Sequence, residues 1–109
     1  MSYQMNSQQK ASASALNRYS ARRISVPVNF ICYAPGAKRV AVIGDFNDWK
    51  PEANPMKRQP DGAWMIQIAL SHGHHQYLYW IDGQLQLDPR AQGIARTEAG
   101  QRVSLVAIS

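Results

Sequence analysis

The chain has 109 residues, 12 Lys and Arg against 7 Asp and Glu for a net charge of +5, 45% hydrophobic residues and one cysteine. This length holds one domain with a core and excludes a strand-helix barrel or a cofactor domain joined to a separate substrate domain. The lone Cys32 forms no internal disulfide, no Cys/His spacing suits structural zinc, and no apolar run resembles a secretory signal or approaches the ~18 residues of a membrane span, so a cytoplasmic protein with no membrane contact is expected.

Residues 1–23 carry Lys10, Arg18, Arg22 and Arg23 with no acid, are rich in Ser, Gln and Asn, and have few large apolar side chains. Such a segment offers little to offset the entropy of ordering and reads as a flexible basic arm, in which 11–23 has the composition of a short helix with Leu16 and Tyr19 on one face. The remaining 24–109 holds eight bases against seven acids and is nearly neutral, so the basic pI reflects the arm and does not point to nucleic acid as the core's partner.

From Ile24 onward the period becomes two. Val26, Val28, Phe30 and Cys32 alternate with Pro27, Asn29 and Ile31, the signature of a strand with one buried face, and Ala34-Pro35-Gly36 turns the chain. A second β-rich run, Arg39 to Phe46, is cut by Gly44 and followed by Asn47-Asp48-Trp49-Lys50-Pro51, which cannot continue a regular strand. Trp64, Ile66, Ile68 and Leu70 share one parity in a third run. In a fourth, His75 to Ile81, Tyr77, Tyr79 and Ile81 face one way and Leu78 and Trp80 the other. Asp82-Gly83 signals a tight hairpin into a short return strand, Leu85 to Leu87, and Arg102 to Ile108 forms the last strand. Six or seven short strands without a helical period predict an all-β, immunoglobulin-like antiparallel β-sandwich.

Catalysis finds little support. Asp45, Asp48, Asp61, Asp82 and Asp88 sit beside Gly, Asn or Pro and read as turn formers bonding nearby backbone amides, and no nucleophile elbow or phosphate-cradling glycine loop is present. Cys32 reads as a small buried hydrophobe. His72, His74 and His75 read as solvent-exposed loop histidines, since a short loop rarely converges three imidazoles on a metal. A non-enzyme without cofactor or metal is expected.

Tryptophan is the informative residue type. Trp64 is in phase with the core. Trp49 ends a polar turn, where its indole either packs over the edge of the sandwich or serves as a ligand platform; Trp80, out of phase with the core, either lies under a loop or lines a binding face. A flat indole beside polar groups suits the apolar C–H face and hydroxyl rim of a pyranose, with Asn47, Lys50 or Gln84 as rim partners. A nucleobase stacks equally well, but normally in a basic groove that this core lacks.

The ordered run Arg39-Val40-Ala41-Val42-Ile43-Gly44-Asp45-Phe46-Asn47-Asp48-Trp49, then Met56, Gly62-Ala63-Trp64, Gly73, His75-Gln76-Tyr77, Ile81-Asp82-Gly83-Gln84 and Asp88-Pro89, resembles the glycogen-binding module of the AMP-activated kinase beta subunit. It is similar also to the early-set N-terminal modules of glycogen branching and debranching enzymes, the carbohydrate-binding modules of family forty-eight, over about residues 24–108. The resemblance implies an immunoglobulin-like sandwich that binds α-glucan such as glycogen or maltooligosaccharide without catalysis. Trp49 matches the first of the family's two sugar-stacking tryptophans. The second falls on Leu85, the sugar-contacting lysine of the preceding strand on Leu78, and the asparagine that opens the last strand on Val103. Each departure removes about 1 kcal/mol or more of binding. Trp80, on the side of Leu78, offers compensation.

Two readings of the core follow. One is an α-glucan-binding module stacking glucose units on Trp49 and Trp80, with Gln84, Lys50 and Gln101 as hydrogen-bond candidates. The other is a protein-interaction module that has lost its sugar site and docks on a glucan-metabolising enzyme or other protein through Leu78, Trp80 and Leu85. A third reading, an acidic or nucleic-acid surface bound by the arm alone, predicts that removing 1–23 abolishes that binding and leaves glucan binding intact.

Overall fold

The computed structural model describes residues 24–109, so the arm and its helix fall outside the described residues. Eight strands follow in chain order: β1 Ser25–Tyr33, β2 Val40–Gly44, β3 Lys57–Arg58, β4 Ala63–Ser71, β5 Gly73–Ile81, β6 Gln84–Gln86, β7 Gly93–Arg96 and β8 Arg102–Ile108. They form two antiparallel sheets, β1-β4-β3 and β2-β5-β8-β7 with β6 also on β5. β5 is long enough to share an edge: β8 pairs with Gly73 to Tyr77 and β6 with Tyr79 to Ile81. The expected immunoglobulin-like sandwich is therefore present, with two strands beyond the sequence reading, β3 and β7.

The alternating residues meet between the sheets. Phe30, Cys32, Trp64 and Leu70 from the smaller sheet and Val40, Val42, Tyr77, Tyr79 and Val106 from the larger are buried together, with Ala37 and Met56 added from the connecting segments. Trp64 is 6% exposed and its indole N–H donates to the Ala34 carbonyl at 2.9 Å, so its polar atom is satisfied on burial. Cys32 is buried, and burial pushes its thiol pKa up.

Asp88 ties the open side of the core. The Tyr77 hydroxyl donates to Asp88 Oδ2 at 2.6 Å, and the Tyr79 hydroxyl lies 3.2 Å from the same oxygen and 3.0 Å from the Ile31 carbonyl, giving its one proton to either. The Asp88 amide in turn donates to the buried Ser104 hydroxyl at 2.8 Å. Burial, and then the facing Asp88 carboxylate, push both phenol pKa values far above the ordinary tyrosine range.

The turn aspartates do more than cap their own turns. Asp82, at φ 47 before Gly83 at φ 90, makes the expected hairpin turn. Its carboxylate also accepts from the distant amides of Arg39 at 2.8 Å and Lys38 at 3.0 Å, and these bonds lower its pKa. Asp45 accepts the Gln76 amide at 2.9 Å. The expectation of exposed loop histidines needs correction: His74 and His75 lie on β5, and although His72 and His74 are exposed, the His75 side chain is 14% exposed, with Nδ1 3.2 Å from Asp45 Oδ1 and Nε2 2.9 Å from the Ser71 carbonyl. Among the described residues no group of His, Cys, Asp or Glu is placed to hold a metal, and no helix is long and apolar enough to cross a membrane.

Candidate functional site

The outer face of the larger sheet carries the candidate site. Antiparallel partners share a face, so the pairings Ala41↔Trp80, Ile43↔Leu78 and Trp80↔Leu85 place these five side chains opposite the core, and Ala95↔Val103 extends the face across β7 and β8. An antiparallel sheet commonly gives one face to water. Here that face holds a second apolar cluster, in which Ile43, Leu78 and Val103 are 5%, 3% and 0% exposed and are covered by half-buried Trp49, Trp80, Leu87 and Ala95. The two indoles form part of a roof over an aliphatic floor.

Trp49 reaches this roof from the loop after β2, and the loop's shape follows from its residues. Gly44 is required because a Cβ there would stand 2.6 Å from the Gln76 carbonyl and 2.6 Å from the Phe46 ring. The Gly44 carbonyl accepts from the amides of Asn47 at 3.1 Å and Trp49 at 3.0 Å, which curls the chain tightly. Asp45 fastens the loop to β5 through its side chain and through its amide, which donates to the Gln76 carbonyl at 3.0 Å. The curl places Asp48 and Trp49 at φ 57 and 58, the left-handed region that costs a non-glycine residue roughly 1–2 kcal/mol. Strained backbone of this kind persists only where its surroundings over-determine it, and it concentrates at functional sites.

Asn47 supplies that determination. Its Oδ1 accepts the Gly44 amide at 2.9 Å, while Nδ2 donates to the Val42 carbonyl at 3.0 Å and to Asn54 Oδ1 at 2.7 Å. The amide group is committed to the loop, which corrects its assignment as a rim partner. Leu78 is corrected too: at 3% exposure it is floor rather than contact surface. Gln84 pairs with Ile81, so it projects from the opposite face to Trp80 and Leu85 and does not join them.

The remaining expected residues stay accessible around the roof. Lys50 is exposed beside Trp49, and Leu85 is 52% exposed beside Trp80. Gln101 is exposed at the turn into β8, on the parity of Val103, with its Nε2 donating to the Arg102 carbonyl at 3.0 Å. Arg39 was not foreseen. Its guanidinium lies 5.4 Å from the Trp80 ring centroid, a cation–π contact worth about 0.5–1 kcal/mol at an exposed site, and it adds donors next to the indole. Ile43, Leu87 and Ala95 were missed as well. A signal existed in Val40–Gly44, an apolar run without alternation that is buried throughout, as a strand covered on both faces should be.

Residues 19–93 match the family model of carbohydrate-binding module 48 (isoamylase N-terminal domain). The chain is 39% identical over 72 residues to a 1,4-alpha-glucan branching enzyme, GlgB 2, of Xanthomonas campestris, covering 63% of this chain and 10% of the enzyme. It is 42% identical over 71 residues to the branching enzyme of Novosphingobium aromaticivorans, covering 59% and 10%. To that of Burkholderia pseudomallei it is 37% identical over 86 residues, covering 72% and 11%. The chain thus spans about a tenth of the length of these relatives. By its match over most of the described strands, the chain belongs to the carbohydrate-binding module 48 family.

Proposed function

We propose that the protein binds α-glucan without catalysing a reaction on it, laying the polymer across the outer face of the larger sheet. The observation that carries this reading is the pair of half-buried indoles, Trp49 and Trp80, over one aliphatic floor, with Trp49 held in strained backbone by a dedicated clamp. Indole faces stack on the apolar C–H faces of pyranose rings. Lys50, Arg39 and Gln101 supply donors at the margin for the hydroxyl rim. The relatives named for work on 1,4-α-glucan carry a homologous segment beside a much longer chain, which supports a module acting alongside glucan-metabolising chemistry.

Affinity electrophoresis in gels containing glycogen, with bovine albumin as a non-binding control, tests the proposal. Wild type is retarded and Trp49→Ala is not. If wild type migrates like albumin at high glycogen concentration, the carbohydrate reading falls and the protein-docking reading replaces it. That second reading draws on the burial of Leu78 and Val103 and the 52% exposure of Leu85, which make the face more apolar than a sugar requires.

A further inference from the structure

His75 stands where the loop carrying Trp49 meets the body of the larger sheet. Its ring has an acceptor at each nitrogen: Nδ1 lies 3.2 Å from Asp45 Oδ1, and Nε2 lies 2.9 Å from the carbonyl of Ser71, the last residue of β4. Asp45 is the residue that fastens the loop. Its other carboxylate oxygen accepts the Gln76 amide at 2.9 Å, and its own amide donates to the Gln76 carbonyl at 3.0 Å. Phe46, next in the loop, sets its ring against the imidazole with centroids 6.2 Å apart and packs in turn on Phe30 of the core at 5.9 Å. The imidazole therefore meets two consecutive loop residues on one side and the end of β4 on the other, with its side chain 14% exposed.

Neither neutral form of the ring satisfies this arrangement. A neutral imidazole has one N–H and one lone pair, so in either tautomer one nitrogen sets its lone pair against an acceptor oxygen. With the proton on Nε2 the Ser71 carbonyl is met and the Asp45 carboxylate faces a lone pair; with the proton on Nδ1 the converse holds. Only the imidazolium donates to both. The open cleft beside the ring is bordered by Ser25, Asp45, Phe46, Ser71 and His74, and across the sheet His75 pairs with Val106 of β8. Among these residues Asp45 is the only acid, and there is no Lys or Arg. His74 adjoins His75 on β5 and by strand alternation projects from the other face. The surroundings thus offer the ring one negative charge and two acceptors, and none of these residues directs a cation at it.

We propose that His75 is a proton-operated latch on the Trp49 loop: protonation lets the ring bridge Asp45 to the Ser71 carbonyl, holds the loop against the sheet and strengthens glucan binding at the outer face. The last step rests on the α-glucan reading of Trp49 and Trp80; the latch itself does not. The bond that the second proton completes exists only in the folded protein, so folding favours proton uptake. The stabilisation is present in mildly acidic solution and is lost as pH rises.

Urea unfolding, and affinity electrophoresis in glycogen gels, are run on the full chain at about pH 5 and about pH 8, the range across which imidazole changes charge. His75→Gln has no titrating group at this position and gives the baseline set by the other ionising residues. Relative to that baseline, wild type gains about 0.5 M in urea midpoint at the acid end and binds glycogen at least twofold tighter there. Asp45→Asn reverses the sign of both differences. Its Oδ1 keeps the Gln76 amide while Nδ2 turns a donor toward His75 Nδ1, which suits the neutral ring donating from Nε2 to Ser71. A role for His75 in packing alone shifts the midpoint equally at both pH values. Should His75→Gln fail to fold, the reversal between wild type and Asp45→Asn carries the test. Equal pH dependence in wild type and His75→Gln, or in wild type and Asp45→Asn, would overturn the latch. Glycogen retention independent of pH, in a protein whose midpoint shows the gain, would overturn its coupling to the sugar face. No retention of wild type at either pH would overturn the α-glucan reading and that coupling with it, while the midpoints still decide the latch.

Discussion

Asn47→Ala removes the clamp that shapes the Trp49 loop, and its cost can be worked from three hydrogen bonds. The substitution deletes the acceptor of the Gly44 amide and the donors to the Val42 carbonyl and Asn54 Oδ1, all in part-buried positions. At about 0.5–1.5 kcal/mol each, with partial replacement by water, the loss is about 2–3 kcal/mol. Release of the clamp also lets Asp48 and Trp49 relax from left-handed backbone, so the indole leaves the roof over Ile43 and Leu78. Urea unfolding followed by far-ultraviolet circular dichroism should show a midpoint lower by about 1–2 M at an ordinary slope for a small domain. The folded variant should also lose retention on glycogen. Asn47→Asp keeps the acceptor for the Gly44 amide but sets oxygen against oxygen at the other two contacts, and should lose nearly as much. An Asn47→Ala protein with the wild-type midpoint and wild-type glycogen retention would refute the clamp.

Gly44→Ala places a methyl 2.6 Å from the Gln76 carbonyl, a backbone atom with little room to yield, and should cost about 1–3 kcal/mol in the same unfolding measurement. Alkaline unfolding tests the buried phenols. Tyr77 and Tyr79 titrate well above the ordinary value in the fold, whereas tyrosine in the unfolded chain ionises near pH ~10, so above that pH the unfolded chain binds fewer protons and stability falls. Their contribution is fully present below pH ~10, and Tyr79→Phe should flatten the decline above it; equal slopes for both proteins would contradict the assignment. Leu85→Trp adds an indole at a half-exposed position beside Trp80 and should tighten glycogen binding about fivefold, near 1 kcal/mol, as read from retardation against glycogen concentration.

Much of the sandwich was legible because alternation and turn chemistry act locally. Val26 to Cys32, Trp64 to Leu70 and Tyr77 to Ile81 each expose their parity in the residues themselves, and Asp82-Gly83 announces its own turn. β3 and β7 escaped notice for a physical reason. Lys57–Arg58 is ordered by pairing with β4 rather than by its own pattern, and Ile94, the largest apolar residue of β7, is exposed rather than buried in the core. The second run, Arg39 to Phe46, was read as cut by Gly44, and β2 ends at that residue, where the carbonyl turns to accept the loop amides.

The aromatic members of the candidate site stand out in the sequence more plainly than its polar ones. Trp49 declared itself by ending a polar turn and Trp80 by falling out of phase with the core, but Asn47, Leu78 and Gln84 have roles set by the folded contacts they make, which their own residue types do not announce. Asn54 holds the Asn47 amide, Trp49 and Trp80 cover Leu78, and pairing with Ile81 turns Gln84 away. Arg39 over Trp80 is likewise a product of the register between β2 and β5.

The most direct measurement follows the three indole N–H resonances during titration with maltoheptaose. Trp64 is buried with its N–H bonded to the Ala34 carbonyl on the core side, whereas Trp49 and Trp80 roof the outer face. Glucan binding at that face predicts saturable shifts of the Trp49 and Trp80 signals and a stationary Trp64 signal. Three stationary resonances at saturating maltoheptaose, or a shift confined to Trp64, would contradict it.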